Sequence, residues 1–168
     1  MKTSMKRIIA FLLVIVSLTL TLASCDATAT PSVSIGLKRD GSAGEYNESL
    51  QDLEIGKQFH GAIKITMVTD KKNVEDFQVV VELPKTKDVE ATREGGLRPD
   101  NQVEDANKTT LTFTIQGHKG ATPQTIHFTG TPFAEGAAVI TVMIYDEDGL
   151  PVNAGYDKTV YFKYDLEQ

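Results

Sequence analysis

Residues 125–149 read TIHFTGTPFAEGAAVITVMIYDEDG. Ile126 and Phe128 alternate with Thr125, His127 and Thr129. Past Pro132 and Gly136 a longer run does the same: Ala138, Ile140, Val142 and Ile144 alternate with Val139, Thr141, Met143 and Tyr145. A period of two belongs to the β-strand, whose successive side chains point to opposite faces. The stretch ends on Asp148-Gly149, a turn-forming pair. Two strands, each apolar on one side, require that side to be buried against another layer.

The pattern extends outward in both directions. Val33, Ile35 and Leu37 share one face of a strand, and Phe59, Ile63 and Ile65 share another, with Gly61 on the apolar side. Phe77, Val79, Val81 and Leu83 follow, then Leu111, Phe113 and Ile115, and finally Val160, Phe162 and Tyr164. Turn-formers separate these runs, among them Asp40-Gly41, Gly95-Gly96 and Pro99-Asp100-Asn101. Little helical periodicity is present. The expectation is an all-β chain: an immunoglobulin-like antiparallel β-sandwich of about seven strands over residues 33–168, preceded by a signal-peptide helix. Residues 125–149, with Pro132-Phe133 and Gly136 between two strands, resemble the E-to-F corner of bacterial immunoglobulin-like and fibronectin-III-like surface modules. Ile55-Gly56 ahead of Phe59 resembles their B-strand entry. The buried Trp and paired Cys of antibody-type domains are missing, since the chain has no Trp and one Cys. Such a likeness implies a fold and leaves function open.

The lone cysteine closes a different pattern. Lys2, Lys6 and Arg7 precede an apolar stretch at residues 8–22, interrupted by Ser17, Thr19 and Thr21. The stretch is short for a membrane-spanning helix, which needs about 20 apolar residues. It fits the apolar core of a signal peptide. Leu22-Ala23-Ser24-Cys25 resembles the lipobox of bacterial lipoproteins. That resemblance implies export, cleavage after residue 24 and a diacylglyceryl group on the Cys25 sulfur. It places the protein at the cell membrane, lipid-anchored on the extracytoplasmic side. In a cell with two membranes, Asp26 would signal retention at the inner one. Residues 25–32 are then a short lipidated tether.

Without residues 1–24 the chain carries 14 Lys and Arg against 23 Asp and Glu, about −9. A nucleic-acid partner needs a basic footprint, so that class is excluded. With Cys25 lipidated, no disulfide or thiol chemistry remains. No nucleophile-elbow or phosphate-loop motif occurs, and the expectation is a non-enzymatic chain without a cofactor.

Three groups of residues invite a functional reading. His60 and His127 fall on outward strand positions, where they would be neighbours if their strands share a sheet. Zinc needs three or four ligands, however, and no third is apparent; His118 sits in a Gly-His-Lys-Gly turn. Asp146 and Asp148, with Asp157 approaching across a hairpin, form a weak calcium alternative, lacking the bidentate Glu of a full calcium loop. Third are the two outer faces. One sheet would present Ser34, Lys38, His60 and Lys64, with Thr112, Thr114 and Gln116 beside them. The other would present Val80, Val139, Met143, Tyr145 and Tyr161. Apolar patches of this kind often mark contact sites. The partner surface is expected to centre on Val80, Met143, Tyr145 and Tyr161, unless residues 84–108, rich in charge and Gly with one weak strand at Val89–Arg93, cover it. The expected function is a membrane-anchored binding or structural module of the cell envelope, with a protein or glycan partner. The alternatives are a calcium-stabilised structural domain, or an accessory subunit of an envelope enzyme or transport system.

Overall fold

A computed structural model describes residues 31–66, 76–116, 123–152 and 155–166. The expected signal segment, Cys25 and most of the expected tether lie outside the described residues. Ten strands follow one another: β1 (Ser32–Arg39), β2 (Asp52–Glu54), β3 (Phe59–Thr66), β4 (Asp76–Pro84), β5 (Lys87–Arg93), β6 (Asn101–Glu104), β7 (Lys108–Gln116), β8 (Gln124–Thr131), β9 (Gly136–Tyr145) and β10 (Tyr156–Lys163). They form a four-stranded sheet, ordered β1-β3-β8-β5, and a six-stranded sheet, ordered β2-β10-β9-β4-β7-β6. The chain crosses between sheets at every connection except the β6–β7 and β9–β10 hairpins. The domain is an all-β immunoglobulin-like sandwich.

Alternation predicted seven of these strands. The other three, of which β5 alone gave a weak strand signal at Val89–Arg93, are edge strands with little to bury. β2 contributes one buried residue, Leu53, and β6 none. β5 carries a register shift between Lys87 and Glu90, where Asp88 adopts φ 54°, and this breaks its alternation. One pairing is parallel, β2 with β10, where antiparallel sheets were expected.

Sheet membership also departs from expectation. Thr112, Thr114 and Gln116 were expected beside Ser34 and Lys64, but β7 pairs with β4 in the six-stranded sheet. Alternation reports which side of a strand is buried and is silent on its neighbours. The connection at residues 84–108 does not lie across the outer face. It becomes β5 at one sheet's edge and β6 at the other's.

The inner faces supply the core. Leu37, Ile63, Ile65 and Ile126 meet Val79, Val81, Leu111, Phe113, Ile140 and Val142, all at 0–1% exposure. Gly61 and Phe128 are direct cross-strand partners, and the Phe128 ring occupies the space above Gly61. Phe59 meets Phe128 edge to face, with centroids 6.2 Å apart.

Lys158 takes an inner position on β10 at 9% exposure. Its Nζ donates to the Glu48 carbonyl at 2.6 Å. Burial pushes its ammonium below the usual lysine range, and the Glu48 carboxylate offsets part of that. A depressed folded-state value means the charged form costs stability at neutral pH. That cost is relieved as pH rises through the folded value toward the unfolded one. Lys158→Met should therefore be at least as stable as wild type near pH 7 in urea unfolding. Wild type should gain on the variant as pH rises through the lowered folded value and on to the ordinary lysine range. A pH-independent difference would contradict the burial argument.

Candidate functional site

The outer face of the six-stranded sheet is built by the central strands β4, β9 and β10. Val80 lies opposite Met143 on one side and Thr112 on the other. Tyr145 lies opposite Gln78, and its hydroxyl donates to Met143 Sδ at 3.4 Å. Val80, Met143 and Tyr145 thus form one half-buried cluster.

A polar band follows. Glu82 stands between Thr110 and Thr141, and Thr141 opposes Asp157. Lys108 Nζ lies 2.5 Å from Glu82 Oε1, and this hydrogen bond raises the lysine above its usual range. Thr141 Oγ1 donates to Asp157 Oδ1 at 2.7 Å.

Beyond the band a second apolar patch opens. Val139 is 46% exposed and Tyr161 40%. Tyr161 opposes Ala137, and the Lys163 ammonium lies 5.7 Å from its ring centroid. The structure therefore brings Val80, Met143 and Tyr145 together and sets Tyr161 apart. Ala137 is six residues from Met143 along β9, about 20 Å at 3.3–3.4 Å per residue. Alternation fixes a residue's face, whereas its position along the sheet follows from the hairpin register.

The three aspartates are not brought together. Asp146 Oδ1 accepts the amides of Asp148 at 3.1 Å and Leu150 at 2.8 Å, which closes the β9–β10 turn. Asp157 sits on the strand beside Thr141. Among the described residues no three His, Cys, Asp or Glu side chains are grouped to hold a metal.

The histidines do share a face. β3 and β8 are neighbours in the four-stranded sheet: His60 opposes Thr129 and His127 opposes Ala62, a diagonal relation. His118 lies outside the described residues. Tyr46, which the sequence reading passed over, packs against His127 with ring centroids 5.6 Å apart. It lies over the small outward residues Gly36 and Ala62, which the β1–β3 register sets side by side.

No protein-family model matches the chain, and no curated protein does. Solved structures share its general architecture. A CARDB domain from Pyrococcus furiosus, in complex with di-metal ions, is 13% identical with a TM-score of 0.46, covering 80% of this chain and 90% of that one. BcpA, the major pilin subunit of Bacillus cereus, is 11% identical at a TM-score of 0.45, covering 79% of this chain and 39% of the pilin. A cohesin module of a Clostridium perfringens family 33 glycoside hydrolase is 12% identical at 0.43, covering 80% of this chain and all of the module. Similarity at this level carries no function to this chain.

Proposed function

We propose that this chain is a lipid-anchored, extracytoplasmic, non-catalytic binding module, held at the membrane through Cys25. Its contact surface is the outer face of the six-stranded sheet. The observation that carries the reading is that residues 84–108 are drawn into edge strands instead of lying across that face. Two apolar patches, Val80–Met143–Tyr145 and Val139–Tyr161, then flank a polar band. Aromatic and Met side chains within a polar surround have the composition of interface cores. The partner is a protein or glycan of the envelope, and an accessory role beside a larger envelope assembly is the same reading with a bigger partner.

A photo-crosslinking residue at Thr141, between the two patches, tests it. In the native cell it should give one discrete adduct. The double variant Tyr145→Ser, Tyr161→Ser should lose that adduct while its unfolding free energy stays within about 1 kcal/mol of wild type, as for most surface changes. An undiminished adduct would sink the assignment.

A further inference from the structure

We propose that the opposite side of the sandwich, the outer face of the four-stranded sheet, carries a second site, which takes a neutral sugar residue of a glycan on Tyr46. The floor is assembled from short-range constraints. The Asn47 amide donates to the Leu37 carbonyl at 2.8 Å, and the Leu37 amide returns the bond at 3.0 Å. This double bond pins the loop to the free edge of β1. The Tyr46 side chain is then laid onto the sheet across Gly36: a Cβ at residue 36 would stand 2.8 Å from Tyr46 Cβ. Ala62, the partner of Gly36, is 2% exposed although it faces outward. Only small side chains at both positions leave room for an aromatic residue to lie there. Tyr46 and the His127 ring beyond it, tilted by 42°, make a continuous aromatic surface.

The strands set polar groups around that surface at fixed register. One row runs Lys38–His60–Thr129–Glu90, and the adjacent row places Thr92 beside His127. Tyr46, His60, Thr129, Glu90, Thr92 and His127 bound a depression of about 120 Å³, with Lys38 outside it. Among the described residues, the Tyr46 hydroxyl, the Glu90 carboxylate and the Thr92 hydroxyl make no hydrogen bond. His60 and Thr129 are engaged: His60 Nε2 lies 3.6 Å from Asp40, and Thr129 Oγ1 donates to the Asp88 carbonyl at 3.4 Å.

The ligand class follows from this mixture. A sugar ring has an apolar C–H face that stacks on an aromatic ring and hydroxyls at its rim that both donate and accept. Donors and acceptors are both present around the Tyr46–His127 surface. Glu90 on the rim of the depression disfavours an anion, and Lys38 at the other end of the row, outside the depression, opposes a strongly cationic ligand. A metal is disfavoured because, among the described residues, no three His, Cys, Asp or Glu side chains are grouped to hold one. The edge bridge and the strand register also preorganise the site, so little ordering cost opposes weak contacts.

The test uses the full chain in a detergent without a sugar headgroup. Cellohexaose, chitohexaose and mannohexaose are titrated while the imidazole C–H resonances are followed, assigned by single His→Gln substitutions. At least one sugar should shift both His60 and His127. Tyr46→Ala should weaken that sugar's binding about tenfold, and Tyr46→Phe should change it by about twofold or less, as expected for a stacking contact. Glu90→Gln, which lies on β5 away from the loop, should weaken it about fivefold through one lost charge-assisted hydrogen bond. The Tyr145→Ser, Tyr161→Ser double variant should bind the sugar as wild type does, separating this site from the partner face. The proposal is overturned if none of the three sugars shifts either histidine. It is equally overturned if binding survives Tyr46→Ala, if the shifts require a divalent metal, or if N-acetyl-lysine amide produces them in place of the sugars.

Discussion

Gly61→Val is expected to destabilise the domain strongly. Local propensity predicts the opposite sign, since valine favours strands and glycine inside a strand costs about 0.5–1 kcal/mol. Packing decides. A Cβ on Gly61 would stand 2.0 Å from Phe128 Cζ and 2.3 Å from Cε1. The ring cannot swing away, because Phe128 is 1% exposed and rests edge-on against Phe59, itself 2% exposed. Overpacking of a tight core typically costs 1–3 kcal/mol and occasionally more, and a valine pushed into a ring belongs at the upper end, about 3 kcal/mol. Against a total of about 5–15 kcal/mol for a domain, that is a large fraction. Urea unfolding measures it. Phe128→Ala alone should cost about 3–5 kcal/mol through the cavity it leaves. The double variant should cost clearly less than the sum, because the valine then fills part of that cavity. A Gly61→Val protein as stable as wild type would mean that the ring does not lie over residue 61.

Cys25→Ala is expected to move the protein from the membrane fraction to the soluble fraction without changing its melting temperature. Two acyl chains hold a protein stably at a bilayer, each buried methylene adding about 0.8 kcal/mol. No second attachment is expected to replace them. The chain after residue 24 carries about −9, which anionic headgroups repel. The measurement is fractionation, with incorporation of labelled palmitate as its chemical counterpart. A Cys25→Ala protein that still sediments with membranes would indicate that residues 8–22 serve as a span, and the anchor reading would fall.

Legibility in the sequence followed a physical division. β3, β4, β7 and β9 were readable because each buries one full face, so the period of two survives intact in their composition. β6 (NQVE) was not readable because every one of its residues is exposed, and nothing selects an alternation there. β5 was legible only as a weak strand over Val89–Arg93, because the irregularity at Asp88 breaks its alternation. Lys158 was missed because a charged residue at an inward position reads as the end of a strand. The Tyr46 surface was missed for a different reason: the small outward residues Gly36 and Ala62 gain meaning only when something is known to lie on them. Alternation put His60 and His127 at outward positions, but that they share a face, and stand diagonally on it, required the β3–β8 pairing and its register.

What the amino-acid order alone determined was local: which side of each strand is apolar, hence two sheets packed face to face, the acidic balance, and a single cysteine in a lipobox-like setting. Tertiary structure decided how these parts were combined. It put β7 beside β4, slid Tyr161 about 20 Å from Met143, and folded the Tyr46 loop over β1. The reason is that burial is written residue by residue with the strand's own period. Neighbour and register are set by backbone hydrogen bonds and turns between distant segments, and those bonds are common to every sequence.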